Sequence, residues 1–251
     1  TAEDMKVSYA DLESKQMMKT VLTMFVLAAS PAAAQQFSLP QGCEGYLTIQ
    51  SASCSVSHYF ICDEDSNGEQ RRATMDEEGL SYVGRISGEA EWLESFHLRS
   101  GHTERLSEAS DDPMSMSELL ANDIDTWDFK TESREIGTSQ YVGFDRLTGE
   151  TVEIDGVTLR RTQYALTAYD EAGTEMWKSE GAEFVSDEWR MFIGGTSSYT
   201  TSDDRFDSDD TPVEFIFPGE AGYLSVNPKF GCGVEMSLID TNDTQLIQTN
   251  Y

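Results

Sequence analysis

The chain has 251 residues and carries 46 acids against 17 lysines and arginines, a formal charge of −29. A surface this negative repels nucleic-acid phosphates and anionic headgroups, so roles on DNA, RNA or a membrane surface fall away. What the acidity allows is a solvated, highly soluble surface, or a cationic partner.

The first sixteen residues include Glu3, Asp4, Asp11 and Glu13, and begin with Thr. They suit neither a basic leader nor a core element, so residues 1–16 are expected to be upstream or leader sequence outside the fold. From Met17 the pattern changes. Lys19 gives a short basic start, Val21 to Ala29 an apolar run, and Ala32-Ala33-Ala34 the small residues of a cleavage site. Residues 17–34 therefore read as a signal peptide, with translation starting at Met17 or Met18. The uncharged run from Thr20 to Ala34 is 15 residues, short of the ~20 a membrane span needs. The expectation is a periplasmic or extracellular protein with no integral span after cleavage.

Residues 35–251 are expected to form a single all-β domain. Four cysteines remain there: Cys43, Cys54, Cys62 and Cys232. An even count in an exported chain argues for two disulfides, and no close-paired spacing supports zinc. The segment from Cys54 to Cys62 alternates like one strand, which would hold its end cysteines about 26 Å apart. They cannot bond to each other. Both remaining connectivities tie Cys232 to the first hairpin, and Cys43–Cys62 with Cys54–Cys232 is preferred, because a turn at 51–53 brings Cys43 opposite Cys62.

Alternating segments then recur, separated by Gly- and Asp-rich turns about every ten residues, the habit of an antiparallel meander. Turns are expected at Asn67-Gly68, Ser87-Gly88, Thr148-Gly149, Asp155-Gly156, Glu171 to Gly173 and Pro218-Gly219. After Val157 the apolar face changes between Leu159 and Tyr164, which predicts a bulge near Arg160 to Thr162. One short helix is expected after Pro113. Ser115 and Glu118 have capping-box spacing, and Met116, Leu119, Leu120 and Ile124 follow at helical intervals. It is expected to cover an edge strand, with plugging one end of the sheet as the alternative. Residues 201–211 read as an acidic loop, and the tail after Ser237 as loosely held. The sum is an antiparallel meander forming a barrel or half-barrel, with a two-sheet sandwich as the alternative.

Candidate sites are few. Asp63-x-Asp65-x-Asn67-Gly68 opens like a calcium loop, but Thr74 stands where a bidentate Glu belongs, and an Asn-Gly hairpin explains the same residues. Calcium at Asp63, Asp65 and Asn67 is the one cofactor the pattern permits. His58 lies on the cysteine-bearing face of its strand, and Glu94 interrupts the apolar face of Ala90, Trp92, Phe96 and Leu98. If they point inward, His58, Glu94, Trp92 and Phe96 would line a ligand cavity; otherwise they are a satisfied core histidine and a carboxylate at a bulge or mouth. His97 and His102 end one strand and the following turn, and with one further acid they could hold a metal, though the spacing matches no ligand motif. Trp127, Trp177, Trp189, Phe192, Phe215 and Phe217 read as core, or as the wall of an apolar pocket.

No nucleophile elbow or phosphate-binding glycine loop is present. The ranking that follows is a non-enzymatic protein binding a small apolar or amphipathic ligand inside the barrel. Second comes a structural or interaction module of the cell envelope, partnered by an envelope protein. Third is a hydrolase-type enzyme using buried carboxylates such as Glu94.

Overall fold

A computed structural model describes residues 35–108 and 110–233. The proposed leader and signal segment (1–34) and the tail after Ser237 lie outside these. In chain order the elements are β1 (Cys43–Ser51), β2 (Ser55–Cys62), β3 (Gln70–Asp76), β4 (Gly79–Ile86), β5 (Trp92–His97), β6 (His102–Leu106), α1 (Met116–Asn122), β7 (Ile124–Ser133), β8 (Gly137–Ile154), β9 (Val157–Tyr169), β10 (Glu175–Ser186), β11 (Met191–Thr200), β12 (Arg205–Asp209) and β13 (Pro212–Ile216).

All thirteen strands belong to one antiparallel sheet. From β12 back to β1 every strand pairs with its sequence neighbour, and β13 then pairs with β1. Only Asp210 and Thr211 separate β12 from β13, yet these strands are the sheet's two edges. A two-residue link can join opposite edges only if the sheet curls back on itself. It does not close: β12 and β13 share no ladder, so the half-barrel expectation holds and the closed barrel does not.

The edges are protected in different ways. β12 is fully exposed and carries Arg205, Asp207 and Asp209, charges that discourage a second strand from pairing. Composition alone made residues 201–211 look like a loop; five of them are this edge strand. At the other edge, residues 223–232 pack over the start of the sheet. Leu224 N–H donates to Thr48 Oγ1, Lys229 N–H to Gln50 Oε1 and Cys54 N–H to the Phe230 carbonyl.

The sheet is bound by the two disulfides, Cys43–Cys62 and Cys54–Cys232, in the preferred connectivity. Cys43 and Cys62 are register partners across β1 and β2, as the hairpin geometry requires. Two disulfides and no free cysteine among the described residues fit an oxidising, non-cytoplasmic environment. Among the described residues no helix is long and apolar enough to cross a membrane.

One expected turn is replaced by continuous strand. Thr148-Gly149 is not a hairpin turn but a register shift within the single strand β8, opposite Arg160 to Thr162 of β9. The face change was correctly placed, but the extra residues sit on the partner strand. In the same way Gly181 lets residues 175–186 run as one strand, because glycine lets the Thr196 carbonyl approach its Cα. Asp155 and Gly156 do form a turn, both at positive φ, the requirement of a tight two-residue hairpin.

Helix α1 starts as expected, with Ser115 Oγ accepting the Glu118 N–H. The return bond of a capping box comes from elsewhere: Ser115 N–H donates to Asp125 Oδ2. Asp123 turns left-handed and ends the helix, so Ile124 begins β7 instead of extending the helical stripe. Met116 and Leu119 pack with Ala90, Leu147 and Val185, from the β4–β5 connection, β8 and β10. The helix therefore ties together central parts of the sheet and covers neither edge.

The core is three apolar clusters. One gathers Leu47, Ile49, Tyr59, Leu159, Phe184, Met191, Ile193 and Phe215 from both ends of the strand order, and so fastens the curl. A second surrounds α1. The third is aromatic: Trp127, Phe129 and Tyr141 with Trp92 and Trp177 against them.

Candidate functional site

At the end of the half-barrel marked by the β8–β9 turn lies an open groove of about 570 Å³, within the range of small-ligand sites. Its walls include Val157, Arg160, Asp187, Glu188, Trp189 and Phe217. Each part has a local cause. The Asp155-Gly156 turn projects beyond the sheet and is fastened to β13 by Phe215 N–H donating to Asp155 Oδ2 at 2.8 Å. The β10–β11 turn is tightened by Trp189 N–H donating to Ser186 Oγ, and the Trp189 carbonyl accepts from Gln70 Nε2 at 2.9 Å. The indole is thereby fixed against Phe215 (6.1 Å, 27° between planes) and near Phe217 (6.3 Å). Phe217 is a third exposed. Arg160 lies between Asp187 (3.7 Å) and Asp123 (3.6 Å), which neutralises the one base of the wall and leaves Glu188 without a counter-ion among the described residues. The groove thus offers an aromatic platform beside a carboxylate-rich rim. Such an arrangement can hold a ligand that presents an apolar face and a positive charge.

The interior carries a second set of polar groups that the sequence did not single out. Arg72 is enclosed beside the Tyr59 and Tyr82 rings, its guanidinium 4.7 Å above Tyr82. Burial pushes the Glu183 carboxyl up to about 8, with Asp145 adding to the rise and Arg72 opposing it. Burial likewise pushes Asp145 up to about 7, against the hydrogen bond it accepts from Trp127 Nε1 at 2.9 Å. Arg72 and Glu183 are surrounded by protein yet are not fully shielded from water.

The sequence-derived candidates are dispersed. His58 is fully buried, hydrogen-bonded through Nδ1 to Thr48 Oγ1 (3.0 Å) and stacked on Phe37 (5.2 Å). Burial lowers its pKa to about 4, so it is a neutral core histidine. Glu94 does not meet it; it pairs with Arg105 at 2.7 Å on the outer face. Phe96 shares that face, as register partner of Val83. Trp92 lies on the other. The register shifts between Arg85 and Ile86, leaving Leu93 as an extra residue, so Trp92 turns inward onto Phe129 and Tyr141 (both 5.4 Å) while Glu94 turns out. An unbroken alternation had put all three on one face. Asp65 of the calcium-loop pattern is held by both arms of Arg71 at 2.6 Å, which occupies the carboxylate that a cation would need. His97 and His102 do come together, with Glu104 as the further acid.

Trp189 and Phe217 were legible as aromatics of a pocket wall; Asp155, Arg160 and Asp187 were not, because no pattern in the chain relates one hairpin turn to another. The chain matches no protein-family model, no curated protein and no solved structure. What fold and site define is a class: a disulfide-stapled, all-β half-barrel with an aromatic groove at one end.

Proposed function

We propose that this chain is an exported, non-enzymatic binding protein of the periplasm or extracellular space, and that it takes a small amphipathic ligand bearing a positive charge. The observation that carries the reading is the groove beside Trp189 and Phe217, where aromatic faces adjoin Asp187 and Glu188. Aromatic faces and nearby carboxylates both favour a cation with an apolar body. The overall charge of −29 raises the local concentration of such a ligand and repels an anionic one. Support for export comes from the disulfides and the segment from Met17 to Ala34. The sequence expectation of a ligand inside a barrel or half-barrel is here drawn to the mouth of the open half-barrel.

The test uses the cationic membrane probe trimethylammonium-diphenylhexatriene against the anionic dye anilinonaphthalene sulfonate. Saturable 1:1 binding of the cationic probe, weakened at least ~10-fold by Trp189→Ala, is expected; that factor corresponds to ~1.4 kcal/mol, modest for an aromatic anchor. No saturable binding, or equal binding of both probes whatever stands at residue 189, refutes the proposal.

A further inference from the structure

At the far end of β8 from the groove, the β5–β6 hairpin brings two histidines onto one carboxylate. His97 and His102 are register partners across the hairpin, and Glu104 lies two residues on, where alternation returns the side chain to the face of His102. Both imidazoles turn Nε2 toward the same oxygen: His97 Nε2 is 3.2 Å and His102 Nε2 3.6 Å from Glu104 Oε2. All three ligand atoms fall within 4.8 Å of one another. Around a tetrahedral ion with ligands at 2.0–2.1 Å, neighbouring ligand atoms are about 3.3 Å apart. The two nitrogen–oxygen separations bracket that edge.

What surrounds the three residues is as telling. The other carboxylate oxygen, Glu104 Oε1, accepts from Thr131 Oγ1 (2.7 Å) and from the Tyr141 hydroxyl (2.6 Å), which fixes the group and leaves Oε2 for the histidines. His102 Nδ1 is 2.9 Å from Ser100 Oγ, a partner that can accept a hydrogen bond from Nδ1–H, the tautomer that leaves the Nε2 lone pair free. The Tyr82 ring meets His97 edge-on at 5.3 Å and limits its rotation. Such outer partners, which orient each ligand through the atom not facing the metal, are the usual support of metal sites. Access is open: the His97 side chain is 36% exposed while Glu104 is 9% exposed.

We infer that His97, His102 and Glu104 form a binding site for a divalent transition-metal ion, Zn²⁺ foremost, with the remaining coordination position open to solvent. Two imidazoles and a carboxylate are a donor set suited to Zn²⁺ and poor for calcium, which prefers six or more oxygens. The inference is independent of the groove, which shares no residue with the site.

The experiment is titration of the metal-stripped full chain with Zn²⁺ alone, followed by calorimetry at near-neutral pH and repeated at pH 5. A single 1:1 site should stand out from weak, multiple binding to the acidic surface, and should be lost at pH 5 because ligating imidazoles must give up their protons. His102→Ala should remove the 1:1 event. Tyr141→Phe, which keeps the buried ring but not the hydroxyl, should weaken it about 10–100-fold. Co²⁺ substitution supplies a readout that misfolding of a variant does not mimic: an intense visible d–d band in the unmodified chain, absent after His97→Gln. Zn²⁺ binding of unchanged strength in His102→Ala, only non-stoichiometric binding, or no visible Co²⁺ band with the unmodified chain would each leave the three residues as a hydrogen-bonded ion pair and overturn the site.

Discussion

Replacing Cys54 and Cys232 by serine removes the longest covalent loop in the molecule, spanning 178 residues, whereas the Cys43–Cys62 bond spans 19. In the chain-entropy account a cross-link restricts the unfolded ensemble by an amount that grows with the logarithm of loop length. The two separations give about 5 and about 3 kcal/mol at 25 °C. Native hydrogen bonds from residues 224–230 to Thr48, Gln50 and Cys54 form with or without the bond, so they offset none of this difference. What the long cross-link adds is the guarantee that the covering segment and β1 remain neighbours while the ten strands between β2 and β13 unfold. With a urea slope of about 2 kcal/mol/M, the midpoint should fall by ~2.5 M in Cys54→Ser/Cys232→Ser and by ~1.5 M in Cys43→Ser/Cys62→Ser. Equilibrium urea unfolding followed by tryptophan fluorescence measures both. Equal shifts, or a larger one for the short loop, would show that the stabilisation does not come from loop closure, and the reasoning would fail.

Two further predictions concern the interior. Burial holds Glu183 at about 8 in the fold against an ordinary 4.5, so folding takes up a proton; its contribution to stability is whole below about pH 4.5 and lost as pH rises through 8. The upper bound is about 5 kcal/mol, reduced by solvent screening. Urea midpoints of the unmodified chain should therefore fall from pH 5.5 to pH 8, and Glu183→Gln should flatten that slope; an unmodified chain equally stable at both values contradicts the assignment. In β10, a Cβ at Gly181 would run into the Thr196 carbonyl oxygen, a backbone atom that cannot swing away. Gly181→Ala should cost about 1–3 kcal/mol in thermal or urea unfolding, whereas Gly173→Thr in the open β9–β10 turn is strained only through its positive φ, and a smaller loss at Gly181 than at Gly173 would contradict the close approach.

Strand type, most of the turns, the helix start at Ser115 and the tie of Cys232 to the first hairpin were legible from the sequence, since each depends on residues within a hairpin or on distances the extended chain imposes. Failures cluster where a strand gains a residue. One extra residue at Leu93 sends Trp92 and Glu94 to opposite faces, and the register shift in β8 fuses two expected strands, because a period of two has no memory across a bulge. His97 and His102 were visible as a pair in need of an acid, yet Glu104 became that acid only through the β5–β6 register and the hydroxyls of Thr131 and Tyr141, supplied from β7 and β8.

By itself, then, the sequence determined the class of structure, the link from Cys232 to the first hairpin and the charge of the surface, from short segments, extended-chain distances and composition. Tertiary structure alone decided that the sheet stays open, that its two edges are joined by Asp210 and Thr211, and that Trp189 lies beside Phe217 in the wall of a groove. Those relations depend on how far thirteen strands curl. Curl is the sum of small twists and bulges along the whole meander, which no local stretch of residues records.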